Sequence, residues 1–136
     1  MTQPISNLTM LLRSMEPVLH EGVYAYCTVP HDAQIAAFAP VVTVRESEGL
    51  TLVVPEEQAV RAGLPVLFRA AWISLTVHSD LEAVGLTAAF AGALGQAGLS
   101  CNVVAGAFHD HLFVPVAQAQ KALQVLSDLQ RHALQT

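Results

Sequence analysis

Along the chain, apolar positions switch between helical and strand spacing, and the switches outline the elements. Leu8, Leu11, Leu12 and Met15 recur at helical intervals behind Ser6, a residue suited to capping, so residues 6–15 are expected to form a short helix. The aromatic and β-branched content of residues 22–29 predicts a strand that Pro30 stops, and a short helix is expected over residues 32–38. Residues 41–44 and 50–54 alternate as a hairpin around the polar stretch Arg45-Glu46-Ser47-Glu48-Gly49. Pro55 is placed to open a helix that Gly63 ends. Residues 66–77 make the longest strand, with Ala71, Ile73, Leu75 and Val77 on one face and Ala70, Trp72, Ser74 and Thr76 on the other. Ser79-Asp80-Leu81-Glu82 has the spacing of a capping box and predicts a helix over residues 81–97, ended by Gly98. A second hairpin follows over residues 101–105 and 111–114. Pro115 then opens a last helix reaching about His132, with an apolar stripe of Ala119, Ala122, Leu123, Leu126, Leu129 and Ala133.

The pattern occurs twice. Thr28-Val29-Pro30-His31-Asp32 is echoed by Thr76-Val77-His78-Ser79-Asp80, Val41-Val42 by Val103-Val104, and Leu52-Val53-Val54-Pro55 by Leu112-Phe113-Val114-Pro115, in the same order. Each half reads strand, helix, strand, strand, helix, and residues 66 onward close the first half. This is the βαββαβ order of a ferredoxin-like sandwich, an α+β fold with antiparallel sheets and helices on one face. Residues 1–65 are expected to hold the N-terminal helix and the first subdomain, and residues 66–136 the second. The second copy lacks a last strand of its own. Either strand 66–77 serves both copies or the segment near residues 17–20 fills the gap.

Composition narrows the function. Hydrophobic residues make up 53% of the 136 and charged residues only 12%, so some apolar surface is expected to meet a partner. The helix over 81–97 offers it, being apolar nearly all round, with Leu86, Phe90 and Leu94 on a bulky face and Gly85, Ala88, Ala91, Gly92 and Gly95 on a smooth one; a homodimer is expected. A net charge of −5 with no cluster of Lys or Arg argues against nucleic acid. No apolar run reaches the roughly 18 to 20 residues of a spanning helix, and no signal core opens the chain, so no membrane role and a cytoplasmic location are expected. Cys27 and Cys101 read as buried free thiols. The chain carries no Gly-x-Ser-x-Gly elbow, phosphate loop or dinucleotide fingerprint. It is therefore not expected to be an enzyme or to need a cofactor.

The segment from His78 to Ala88, continued by Gly98-Leu99-Ser100-Cys101-Asn102-Val103-Val104 and closed by His109-Asp110-His111-Leu112-Phe113-Val114-Pro115, resembles ACT domains of the aspartate-kinase type. More narrowly it resembles bacterial stand-alone tandem ACT-like proteins. The resemblance implies a regulatory or sensor module that holds an amino acid or similar small zwitterion at the interface between ACT-like units. Many amino-acid-binding ACT domains carry a Gly in the turn after the first strand; the corresponding turns here, Pro30-His31-Asp32 and His78-Ser79-Asp80, have none. The alternative is a structural or protein-interaction domain of the same fold with no ligand.

The residues themselves point to the same place. A helix start at Ser79 to Glu82 would offer free amides and the positive end of a helix dipole to a carboxylate, an effect of about 0.3 to 2 kcal/mol. Asn102, with both donor and acceptor groups, could hold the ammonium and carboxylate of an amino acid. Asp80 could bind the ammonium or repel the carboxylate. Capping and strand-end ordering alone would also account for Ser79, Glu82 and Asn102. His109 and His111 would share one strand face with Asp110 on the other, two metal ligands without a dedicated third among His78, Cys101 and His31, so no metal is expected. The expected ligand-binding set is His78, Ser79, Asp80, Leu81, Asn102, Val103, His109, Asp110 and His111.

Overall fold

The computed structural model describes residues 7–135. Ser6, expected to cap the first helix, lies outside them. That helix, α1, runs Leu8–Ser14 and is capped by Asn7, whose side chain accepts from the Met10 amide at 3.1 Å. The strands are β1 (Pro17–Leu19), β2 (Tyr24–Val29), β3 (Val42–Arg45), β4 (Leu50–Pro55), β5 (Phe68–Leu75), β6 (Asn102–Ala105) and β7 (Asp110–Pro115). The remaining helices are α2 (Glu56–Arg61), α3 (Leu86–Gln96) and α4 (Ala119–Leu134), the last preceded by a 3-10 turn over Val116–Gln118. Two compact units result: Glu21–Ala71, and the described residues up to His20 together with those from Trp72 onward. The expected division after residue 65 differs from this twice: it puts the N-terminal segment with the first subdomain and residues 66–71 with the second.

The Glu21–Ala71 unit orders its strands β3-β4-β2-β5, every neighbour antiparallel. Alternation along β2 and β4 turns Ala25, Cys27, Val29, Leu52 and Val54 to one side, where Ala59 of α2 completes a buried cluster. The expected helix over residues 32–38 does not form. Two turns replace it, closed by bonds from the Ala33 amide to Pro30 O and from the Phe38 amide to Ile35 O, both 3.0 Å. Pro40 steers Ala39 away from the helical region, and from the turns Ile35 and Phe38 already reach the apolar cluster.

In the other unit the order β5-β7-β6 is extended by β1, which pairs antiparallel with β5 through Pro17↔Leu75, Val18↔Ser74 and Leu19↔Ile73. Both ways of supplying the missing strand therefore hold. Strand β5 gives Phe68–Ala71 to the first unit and Trp72–Leu75 to the second, and β1 takes the place of the last strand in the βαββαβ order. Helices α1, α3 and α4 pack on one another, and Leu11, Met15, Phe90, Leu94 and Leu126 are fully buried with Ile73, Leu75, Leu112 and Val114 of the sheet. The Arg13 guanidinium donates to Ala133 O at 3.1 Å and the Gln130 side-chain Nε2 to Arg13 O at 2.9 Å, which ties α1 to α4.

Helix α3 begins five residues later than its sequence suggests. The capping box does not form: Asp80 Oδ1 accepts the Glu82 amide and Asp80 O the Ala83 amide, both at 2.9 Å, so a turn takes the place of the first helical turn. Gly85 then caps the helix with φ 107°, a left-handed conformation open to glycine at no steric cost. Ala88, Gly92 and Gly95 are exposed, and a Cβ added at either glycine would meet nothing within 4 Å.

Candidate functional site

The loop between β5 and α3 and the β6–β7 hairpin enclose a cavity of about 100 Å³, lined by Ser79, Asp80, Leu81, Ala83, Gly85, Leu86, Thr87, Ala105 and Asp110. Asp110 sits at its inner wall, 6% exposed, and its Oδ2 accepts from the Ser79 hydroxyl at 3.3 Å. Burial pushes the Asp110 carboxyl above its ordinary range; the Ser79 bond and neighbouring His111 act the other way. The lining holds two carboxylates and no basic side chain, so its electrostatics favour a cation. The amides of Leu86 and Thr87 precede the first intrahelical bond of α3, from the Ala89 amide to Gly85 O, and remain available for an anion. Leu81, Val84 and Phe108 stand exposed in the same loops, and His78 lies against Phe108 with ring centroids 5.5 Å apart. A larger groove in the Glu21–Ala71 unit, about 280 Å³, is lined by Ala37, Phe38, Gln58, Arg61 and Ala62. None of the expected site residues lines it.

The opposite face of β7 carries a second polar group. His20, just past β1, stacks on Trp72 with ring centroids 3.5 Å apart and planes within 9°. Its Nε2 lies 2.8 Å from Ser74 Oγ, and Ser74 Oγ lies 2.8 Å from His111 Nδ1. Trp72 Nε1 reaches the same Nδ1 at 3.1 Å. Ser74 is only 5% exposed. Burial, with the charge of the neighbouring imidazole, lowers His20 and His111 below their ordinary value; His109 is the neighbour that acts on His111, and Asp110 partly opposes it. The Cys101 thiol is pushed up to about 11 by burial, which leaves it unreactive at neutral pH.

The expected site residues therefore divide. Ser79, Asp80, Leu81 and Asp110 meet at the cavity, and Val103, paired with Leu112, lies on the cavity side of the hairpin. Asn102, paired with Phe113, and His111 lie on the other side; the Asn102 side-chain Nδ2 donates to Phe113 O at 3.4 Å. His109 precedes β7 with its ring 6.4 Å from that of His111, and His78 stays with Phe108. No group of three or more His, Cys, Asp or Glu among the described residues is placed to hold a metal. Sequence spacing gave no sign of His20, which stands far from Trp72 in the chain and reaches it only through the β1–β5 pairing. Thr87 and Gly85 were hidden by the expectation of a continuous helix.

Two family models, both described as ACT domain, match residues 3–71 and residues 68–128. The chain belongs to the ACT domain family. The two matches overlap at residues 68–71, the part of β5 that closes the first ACT unit before the strand continues into the second. Among solved structures, the chain is similar to a Vibrio cholerae protein of unknown function described as a possible transport protein. Identity is 49%, covering 90% of this chain and 95% of that one, with a TM-score of 0.82. A protein from Agrobacterium tumefaciens matches at 17% identity over 85% of this chain and 89% of the other, TM-score 0.67. The regulatory subunit of aspartate kinase from Thermus flavus matches at 13% over 86% and 98%, TM-score 0.64. No curated protein matches. ACT domains are regulatory modules for small molecules rather than catalytic ones, and this chain carries two in tandem. No helix among the described residues is long and apolar enough to cross a membrane.

Proposed function

We propose that the protein is a non-catalytic regulatory module that binds a small amino acid in the second ACT unit, in the cavity between the Ser79–Thr87 loop and the β6–β7 hairpin. The observation that carries this reading is Asp110: a carboxylate 6% exposed, facing a cavity that holds a second carboxylate and no basic side chain. Such a group favours an ammonium, which would satisfy the charge that burial otherwise disfavours. The Leu86 and Thr87 amides at the start of α3 suit the ligand carboxylate, and the size of the cavity, about 100 Å³, selects small side chains. Ser79, Asp80 and Leu81 form the loop over the ligand. Val103, Asn102, His78, His109 and His111 support the hairpin and loop around it without touching the ligand.

Regulation follows if the ligand favours one arrangement of the module over another, since only unequal affinity shifts an equilibrium. The exposed small residues of α3, Ala88, Gly92 and Gly95, suit close approach of a second copy, and we read the working unit as a homodimer. A thermal-shift screen against the twenty amino acids tests the ligand: one present at a hundredfold its dissociation constant adds about 2.7 kcal/mol of stability. A shift with small amino acids supports the sensor. No shift with any of them favours the interaction-domain alternative.

A further inference from the structure

Strand β1 is three residues long and starts with a proline, which has no N–H to give to the ladder. At its two ends the Thr76 amide bonds Glu16 O at 3.0 Å and the His20 amide bonds Trp72 O at 2.9 Å. So short a strand depends heavily on its side chains. Its main polar anchor is His20, stacked flat on Trp72 and joined through Ser74 to His111.

We propose that His20, Ser74 and His111 form a proton-sensitive clasp that holds β1 to β5 while His111 is neutral and loosens it when His111 takes up a proton.

The directions of the hydrogen bonds follow from the donors. An indole N–H can only donate, so His111 Nδ1 must accept and the ring proton must sit on Nε2. Ser74 therefore also donates to Nδ1, which leaves its oxygen to accept from His20 Nε2–H. In this arrangement the Trp72 N–H and the Ser74 hydroxyl share the Nδ1 lone pair, His20 Nε2–H meets Ser74 Oγ, and both rings are neutral. A further proton on His111 can go only to Nδ1, where it faces the Trp72 N–H and takes away the acceptor of the Ser74 hydroxyl. Ser74 Oγ, with two lone pairs, then accepts from both rings, and its own hydrogen and the Trp72 N–H lose the acceptor they shared. The titratable neighbours are His20, just past β1, and His109 before β7, whose protonated forms would repel a charge on His111, and Asp110 on the far face of β7, which favours it. Trp72 and Ser74 of β5 and Val104 of β6, which is paired with His111, are uncharged. Burial and His109 outweigh Asp110, so the clasp is closed at neutral pH and opens on the acid side.

Amide hydrogen exchange of the whole chain at pH 7.5 and 5.5, corrected for intrinsic exchange rates, tests the clasp. The His20 and Thr76 amides should lose about tenfold in protection at the lower pH, while the Leu67 amide, bonded to Tyr26 O, keeps its own. The emission of Trp72, the single tryptophan, should change over the same range. In His111→Asn, the side-chain oxygen can accept from Trp72 and Ser74 but takes no proton at these pH values, and the pH dependence should vanish. Unchanged protection of His20 and Thr76 in the wild type, or the same pH dependence in His111→Asn, would overturn the proposal. A ring-nitrogen NMR titration of the wild type gives a check that needs no variant: protonation of His111 and loss of protection at His20 must share a midpoint, and separate midpoints contradict the clasp.

Discussion

After its opening strand the first ACT unit passes from Val29 to Val42 by turns, whereas the second goes from Leu75 through an Asp80 turn into the 11-residue helix α3. Their hairpins and the helix starts that follow them agree closely. Pro55 and Pro115 precede their helices with φ/ψ of −53°/134° and −54°/133°. The hairpins close on bonds of 2.9 Å, from Glu46 N to Gly49 O and from Gly106 N to His109 O. Leu52-Val53-Val54 and Leu112-Phe113-Val114 are buried to within 1%. On this repeated frame a site arises where the connection leaves space. In the first unit Ile35 and Phe38 fill the space from the turns, and the core is apolar throughout. In the second the helix is plugged by Phe90 and Leu94, and the loop leading into it leaves room beside a buried carboxylate.

The two units should differ most in how much they lose with an aromatic ring. Phe90→Ala should cost about 3 to 5 kcal/mol in denaturant unfolding, because a fully buried ring is lost; Phe38→Ala, partly buried in the helix-free unit, should cost less than half as much. Where the copies agree, their responses should match. A Cβ at Gly49 would lie 2.9 Å from Val29 O and one at Gly106 3.0 Å from His109 O, both backbone atoms, so each Gly→Ala change should cost about 1 to 3 kcal/mol by the same assay. The polar sites should separate the units by pH. His20 and His111 lie below their ordinary value of 6.5 when folded, so the native state binds fewer protons than the unfolded chain. Stability is then full above pH 6.5 and falls as the pH drops toward the lowered folded values, which thermal melts between pH 7.5 and 5 would record. The smallest effect is expected at the N-terminal cap, where Asn7→Ala should cost about 1 kcal/mol.

Much of this frame is legible in the sequence. Period-two alternation placed the strands, prolines and glycines bounded the helices, and the echoed blocks revealed the tandem order. The site was only partly legible. Ser79, Asp80, Leu81 and Asp110 converge as expected, because the β5–α3 loop and the hairpin must meet at one end of the unit. The capping-box pattern misled because Asp80 competes with Ser79 for the same amides, which local spacing cannot resolve. Asn102 is expected beside them, yet strand alternation from Asp110 through the β6–β7 register puts it on the opposite face of the hairpin. His20 depended on a strand pairing distant in sequence, and such pairings leave no local pattern.

The account rests on one ammonium site per chain, in the second unit alone. Isothermal titration of small L-amino acids into the wild type, Asp110→Asn and Asp32→Asn tests this most directly. The prediction is one site per chain, affinity weakened at least about tenfold by Asp110→Asn, equivalent to about 1.4 kcal/mol, and unchanged by Asp32→Asn, at the first-unit position that echoes Asp80. Binding that survives Asp110→Asn intact, or no binding of any amino acid to the wild type, would contradict it.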